Sequence, residues 1–168
     1  QRNVVIDPVM LSKSGTPLLN PEAMDLFRRM LLPLALLITP NTDEAQALTG
    51  QPVRTPADME EAAVKIHTMG ARNVLIKGGH MEGDATDVLF DGQEFSHFRA
   101  ERLAARDSHG TGCVLSAAIT AHIAGGKALI EAVRLGKELV TEAIKNGLRI
   151  GSGRGPCDPL GIEHGNHG

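Results

Sequence analysis

Pro33-Leu34-Ala35-Leu36-Leu37-Ile38-Thr39-Pro40-Asn41-Thr42-Asp43-Glu44 joins an apolar run to a capping sequence with nothing between them. The run from Leu34 to Thr39 is continuous and bounded by prolines, which cannot donate to a ladder, as expected of a strand buried on both faces of a sheet. Immediately after it stand residues with helix-capping chemistry: Asn, Thr and Asp cap well, and Glu favours the first turn. A buried strand that hands the chain directly to a helix is the building unit of an α/β protein.

The same grammar recurs on both sides. Val4-Val5-Ile6, ended by Asp7-Pro8, predicts a short buried strand, and a polar loop follows. Asn20-Pro21-Glu22 opens a helix over about 21–32 that Pro33 stops. Asp43 to Leu48 predicts a short helix closed by Gly50. Thr55-Pro56 opens a longer one, with Ala63, Ile66 and Met69 at helical spacing and Gly70 at its end. Asn73 to Lys77 reads as a third buried strand running into Gly78-Gly79-His80. Val88–Phe90 and Glu94–Phe98, joined through Asp91-Gly92, predict a hairpin. Two helices over roughly 112–124 and 127–147 come next, and from Gly151 the chain loses periodicity and reads as a surface segment. Strands alternating with helices imply right-handed crossovers and a mostly parallel sheet, with ligands beyond the carboxyl ends of the strands. Those ends carry Asp7, Asn41 to Glu44, and Lys77.

With 168 residues, 42% of them hydrophobic, the chain predicts one domain over 1–168. The formal charge of −3 is interspersed, and four Phe are the whole aromatic complement, so there is neither the electrostatic footprint nor the stacking platform of a nucleic-acid binder. No apolar run approaches the roughly 20 residues of a membrane span, and Gln1-Arg2-Asn3-Val4 does not read as a secretory signal. Cys113 and Cys157 read as reduced thiols of a reducing compartment, and the cytoplasm is the expected location.

Asp107-Ser108-His109-Gly110-Thr111-Gly112-Cys113-Val114-Leu115-Ser116 puts a glycine-rich turn at the mouth of an apolar helix. A helix start leaves backbone N–H groups unpartnered and carries partial positive charge, so anions settle there. Gly110 and Gly112 allow close approach of a phosphoryl group, and Thr111 adds a hydroxyl. Cys113 on the first turn feels the same field, which favours thiolate and a role as base. The alternative is an ordinary glycine loop followed by a buried cysteine. At Asn41 to Glu44, likewise, an amide and a carboxylate able to hold Mg²⁺ through water compete with a plain capped helix start. Asp7 is a site residue or a turn residue, and Lys77 a phosphate ligand or a solvated lysine. A P-loop is excluded because Gly136-Lys137 is followed by Glu138. Gly151-Ser152-Gly153-Arg154-Gly155 lacks the preceding strand of a dinucleotide fingerprint, and His109 with Cys113 makes too few ligands for zinc. Asp84 and Asp87 are explained by a flexible polar loop beside the hairpin.

Taken jointly, Val4 to Met10, Lys13-Ser14-Gly15, Thr39 to Glu44, Lys77-Gly78-Gly79-His80 and His109 to Cys113 resemble the hydroxymethylpyrimidine and phosphomethylpyrimidine kinases of thiamine biosynthesis. The resemblance implies a ribokinase-like three-layer α/β sandwich and ATP-dependent phosphorylation of a pyrimidine alcohol, then of its monophosphate. It puts Asn41 and Glu44 at the Mg²⁺ and phosphates and Lys77 near the transferred phosphoryl group, with Asp7 in the network around them. Gly110, Thr111 and Gly112 become the anion hole, and Cys113 takes the place of the superfamily's aspartate base. A monovalent cation and a homodimer are further expectations. A pyridoxal kinase group shares the Gly-Thr-Gly-Cys turn and offers a second acceptor. Against the family pattern the chain begins at the strand of Asp7, so the expectation is a C-terminal portion whose sheet is incomplete at its N-terminal side. A catalytically silent nucleotide-binding or dimerisation module is the reading from outside enzymology.

Overall fold

The computed structural model describes residues 3–10, 16–79, 84–101, 103, 110–147 and 155–161. The chain divides into two compact units, 1–99 and 100–168. In the first, five strands form one sheet in the order β1 (Val4–Ile6), β2 (Ala35–Ile38), β3 (Val74–Ile76), β4 (Ala85–Phe90) and β5 (Phe95–Ala100). β1, β2 and β3 run parallel, and β4 returns antiparallel to β3. The sheet is thus mixed, its parallel half built by crossovers and its other half by the Asp91-Gly92 hairpin, where Gly92 takes the positive φ of 95° that the turn demands.

The stretch from Pro33 to Glu44 folds as read, with one change at its start. Leu34 is 61% exposed and belongs to a 3-10 turn, Leu32–Leu34, so β2 begins at Ala35. The helix expected over 21–32 is composite: α1 (Pro21–Leu26), capped by the Asn20 side chain, widens into a π-helical turn, Phe27–Leu31. Pro33 supplies the reason, since it has no N–H to extend an α ladder and the chain tightens to leave the helix. Arg28 in the π turn donates to the carbonyls of Ala47 and Leu48 at 2.9 Å each, tying this segment to the end of α2 (Thr42–Thr49). β1 is only half-buried, contrary to the buried strand expected, because among the described residues it pairs on one side alone, with β2.

Alternation along the central strands fills both faces. Ala35, Ile38, Val74, Ile76, Val88 and Phe90 join one apolar core with Ala45 and Leu48 of α2 and with Met59, Ala63 and Ile66 of α3 (Pro56–Thr68). Leu37, Leu75 and Leu89 point to the opposite face and are also buried. The prediction of central strands covered on both sides therefore holds. A left-handed Gly50, at φ 72°, closes α2 as read.

The second unit is a helical hairpin, α4 (Thr111–Ala124) and α5 (Leu129–Lys145), turned through Gly125-Gly126. The helices approach closely at Gly136, where a Cβ would lie 2.8 Å from Ile119 Cγ1. Part of the aperiodic tail is fixed rather than fraying: Asp158 N donates to Ala143 O at 2.9 Å, and Cys157 beside it is buried. Among the described residues no helix is long and apolar enough to cross a membrane.

Candidate active site

Because β1, β2 and β3 are parallel neighbours, their carboxyl ends lie side by side, and each delivers a polar residue to the same edge. Lys77, just past β3, reaches across β2 to Asp7, just past β1, and its Nζ stands 2.8 Å from Asp7 Oδ1. Two strand spacings are roughly 10 Å, so the lysine stem has to run extended over the intervening strand end. Thr39, just past that strand, donates its hydroxyl to the same Oδ1 at 3.2 Å. The side chains of Lys77 and Asp7 are 12% and 18% exposed. Lys77 is thus mostly withdrawn from solvent, and Asp7 is a turn residue as well as a partner, its carbonyl accepting from Val9 N at 3.0 Å. The Lys77 backbone is pinned as well, its N–H donating to Pro40 O at 2.8 Å and its position bridging to Asn41.

At Asn41 and Glu44 the capping reading and the ligand reading describe the same atoms. Asn41 Oδ1 accepts from Glu44 N at 2.8 Å, and Glu44 Oε2 accepts from Asn41 N at 2.7 Å, a reciprocal capping box at the start of α2. Glu44 is 4% exposed. Burial pushes its carboxyl above the ordinary range, the Asn41 N–H and the Lys77 ammonium pull it back, and the Asp7 and Asp43 carboxylates push it up again. A charge held at such a cost is one that a cation arriving with its own water and phosphate oxygens would relieve. Among the described residues no three His, Cys, Asp or Glu side chains form a closed metal cage. A buried carboxylate is an oxygen donor of the kind hard cations take.

Asp87 was missed by sequence reasoning. It lies inside β4, not in a flexible loop, is 5% exposed, and accepts from Gly78 N at 3.0 Å. The available signal was its place directly before Val88-Leu89-Phe90, in a strand whose last four residues are all buried. Asp84 precedes the strand, exposed, and stays without a role.

In the second unit Gly110 is the N-cap of α4, with φ 86° and ψ 0°, and it brings no capping side chain. Its carbonyl accepts the first helical bond, from Val114 N at 2.9 Å. Gly110, Thr111 and Gly112 thus stand at the positive end of a 14-residue helix. Cys113, in the first turn, is exposed, which overturns the buried-cysteine alternative. Cys157 is the buried thiol, and burial raises its pKa. Neither is in a disulfide. His80, His109 and the Lys13-Ser14-Gly15 loop lie outside the described residues.

Residues 1–158 match the family described as phosphomethylpyrimidine kinase. The hydroxymethylpyrimidine/phosphomethylpyrimidine kinase of Streptomyces coelicolor is 47% identical over 154 residues, which cover 92% of this chain and 57% of that protein. The thiamine biosynthesis bifunctional protein of Geobacter sulfurreducens is 44% identical over 161 residues, 95% of this chain and 33% of its own. Among solved structures, the pyridoxal kinase of Staphylococcus aureus in complex with AMP-PCP superimposes with a TM-score of 0.90 at 37% identity, over 99% of this chain and 61% of that one. The chain thus spans less than two thirds of the length of each of these relatives.

Proposed function

This chain belongs to the phosphomethylpyrimidine kinase family, and from that premise we propose that it supplies the phosphate, metal and base groups of an ATP-dependent hydroxymethylpyrimidine/phosphomethylpyrimidine kinase. The observation that carries the reading is the capping box that buries Glu44 beside the Lys77–Asp7 pair at one sheet edge. Phosphoryl transfer needs positioning and charge stabilisation more than covalent chemistry, and these are the groups that provide it. Glu44 would hold Mg²⁺, which would supply positive charge to the phosphate oxygens, and Asn41 orients that carboxylate through the capping box. Lys77 faces the transferred phosphoryl group, with Asp7 fixing its ammonium and Thr39 in turn bonded to Asp7. The amides of Gly110, Thr111 and Gly112 receive the developing negative charge.

Cys113 takes the hydroxyl proton of the pyrimidine alcohol onto Sγ as the alcohol oxygen bonds to the γ-phosphorus. The bridging P–O bond breaks, and ADP leaves with its electron pair. In the second round the acceptor is a monophosphate, already largely dianionic at neutral pH because its second pKa is near 6. That round draws little on a base. The full chain acts as part of a single kinase domain in the cytoplasm, with a monovalent cation beside the nucleotide.

Pyridoxal is the second acceptor to consider, favoured by the structural likeness to the Staphylococcus aureus enzyme. The deciding experiment offers the protein ATP, Mg²⁺ and an equimolar mixture of hydroxymethylpyrimidine and pyridoxal, and follows both products by mass spectrometry. Preferential appearance of the pyrimidine monophosphate and then diphosphate supports the proposal. Pyridoxal phosphate as the dominant product replaces it with the second reading, and MgATP binding without either product reduces the chain to a nucleotide-binding module.

A further inference from the structure

We infer that Asp87 is a positioning residue for Lys77: its buried carboxylate fixes the backbone turn from which the lysine reaches the sheet edge. This assignment rests on the kinase reading for its consequence in catalysis, though not for its geometry. β3 and β4 pair Val74 with Phe90, Leu75 with Leu89 and Ile76 with Val88, so the antiparallel register carried one step further sets Lys77 opposite Asp87 and Gly78 opposite Thr86. At that point the chain stops being an ordinary ladder. Gly78 comes so close to β4 that a Cβ on it would clash with Thr86 O, and its N–H is taken by a side chain, Asp87 Oδ1, at 3.0 Å.

Lys77 is consequently held from both flanks. On the β2 side its own N–H donates to Pro40 O, and on the β4 side the next N–H donates to Asp87. Between these two anchors the Cα of Lys77 has little freedom to rotate, and its stem is committed to the path that ends on Asp7 Oδ1. A carboxylate is an expensive group to bury, and a strand interior offers it no solvent in exchange. Its bond to an amide is correspondingly stronger than a neutral one. An apolar residue at position 87 would share the sheet face of Leu89 but leave Gly78 N without this acceptor and Lys77 anchored on one flank only.

The test compares Asp87→Asn, whose amide oxygen still accepts from Gly78, with Asp87→Ala, whose methyl cannot, each alone and in a Lys77→Met background. Asp87→Ala is expected to lower kcat at least tenfold with the KM for the pyrimidine changed less than threefold, and Asp87→Asn to restore kcat to within about threefold of wild type. In the Lys77→Met background Asp87→Ala is expected to slow turnover by less than twofold further, because its effect passes through the lysine. Fully multiplicative losses in the double variant, or Asp87→Asn as impaired as Asp87→Ala, overturn the assignment. Hydrogen exchange at the Gly78 amide reads the same geometry without turnover: at least tenfold faster in Asp87→Ala, near wild type in Asp87→Asn, with the Leu37 and Leu75 amides unchanged. An unchanged Gly78 rate in Asp87→Ala also overturns it. A wild type that shows this exchange pattern but phosphorylates no pyrimidine sinks the kinase reading and leaves Asp87 as the anchor of the turn.

Discussion

Removing either partner of the Lys77–Asp7 pair strands the other in a largely buried place, and the size of the loss follows from the geometry. Charges 2.8 Å apart attract by about 6 kcal/mol at an effective dielectric of about 20. Much of that is offset by what both groups lost in leaving water, which for side chains 12% and 18% exposed is substantial. Truncating one partner of a fully buried pair costs about 3–5 kcal/mol, and residual solvent here lowers the expectation to roughly 2–3 kcal/mol. Asp7→Asn and Lys77→Met should each cost about that much. The double variant should cost far less than their sum, because neither stranded charge remains, so the coupling should be about 2 kcal/mol. Urea denaturation of the four proteins measures this, provided the slope is the same in all, since a changed slope signals a changed end state. Additivity to within about 0.5 kcal/mol would refute the reasoning and mean that the contact contributes nothing as a pair.

Glu44→Gln should have a stability difference from wild type that depends on pH. Burial raises the Glu44 carboxyl above 4.5, so the folded protein binds its proton more tightly than the unfolded chain does. The wild type's advantage is therefore complete below pH 4.5 and is lost as pH rises through the raised value. Urea titrations without divalent ion should show the Gln variant gaining on wild type across that window and holding its gain at pH 8, and a gap independent of pH would contradict the burial argument. Gly110→Ala should cost roughly 1–2 kcal/mol by thermal or urea melting: the residue sits at φ 86°, a backbone conformation that strains any residue with a Cβ, and none of the described residues lies within 4 Å of the added Cβ.

Most of the architecture is legible from local chemistry. Prolines and glycines punctuate the elements, Asn41 and Thr55 announce their capping boxes, and Asp91-Gly92 announces the hairpin. The departures have physical causes that a linear pattern does not carry. A π turn at Phe27–Leu31 differs from an α turn only in which carbonyl each amide chooses, and here that choice also lets Arg28 reach Ala47 and Leu48. β1 carries the same apolar signature as β2, but its burial depends on how many neighbours it has.

At the site, the residue types were readable and their pairings were not. Asp7 and Lys77 are 70 residues apart, so the parallel order of three strands had to be known before they met. For Glu44 the sequence offers capping and metal binding as rivals, whereas the folded chain uses one carboxylate oxygen for the cap and leaves the whole group buried and costly to ionise. Asp87 escaped because an acidic residue near a polar loop reads as solvated, and only the β3–β4 register turns it inward.

The central claim is that Cys113 accepts the proton of the alcohol, and its most direct test is the turnover of Cys113→Ala on the two acceptors in succession. Phosphorylation of the alcohol should fall by about 10²–10⁴-fold, the range a positioned base supplies. The monophosphate step should fall much less, and the melting temperature of a variant at this exposed position should stay unchanged. Wild-type rates on the alcohol, or equal losses on both acceptors, would contradict it.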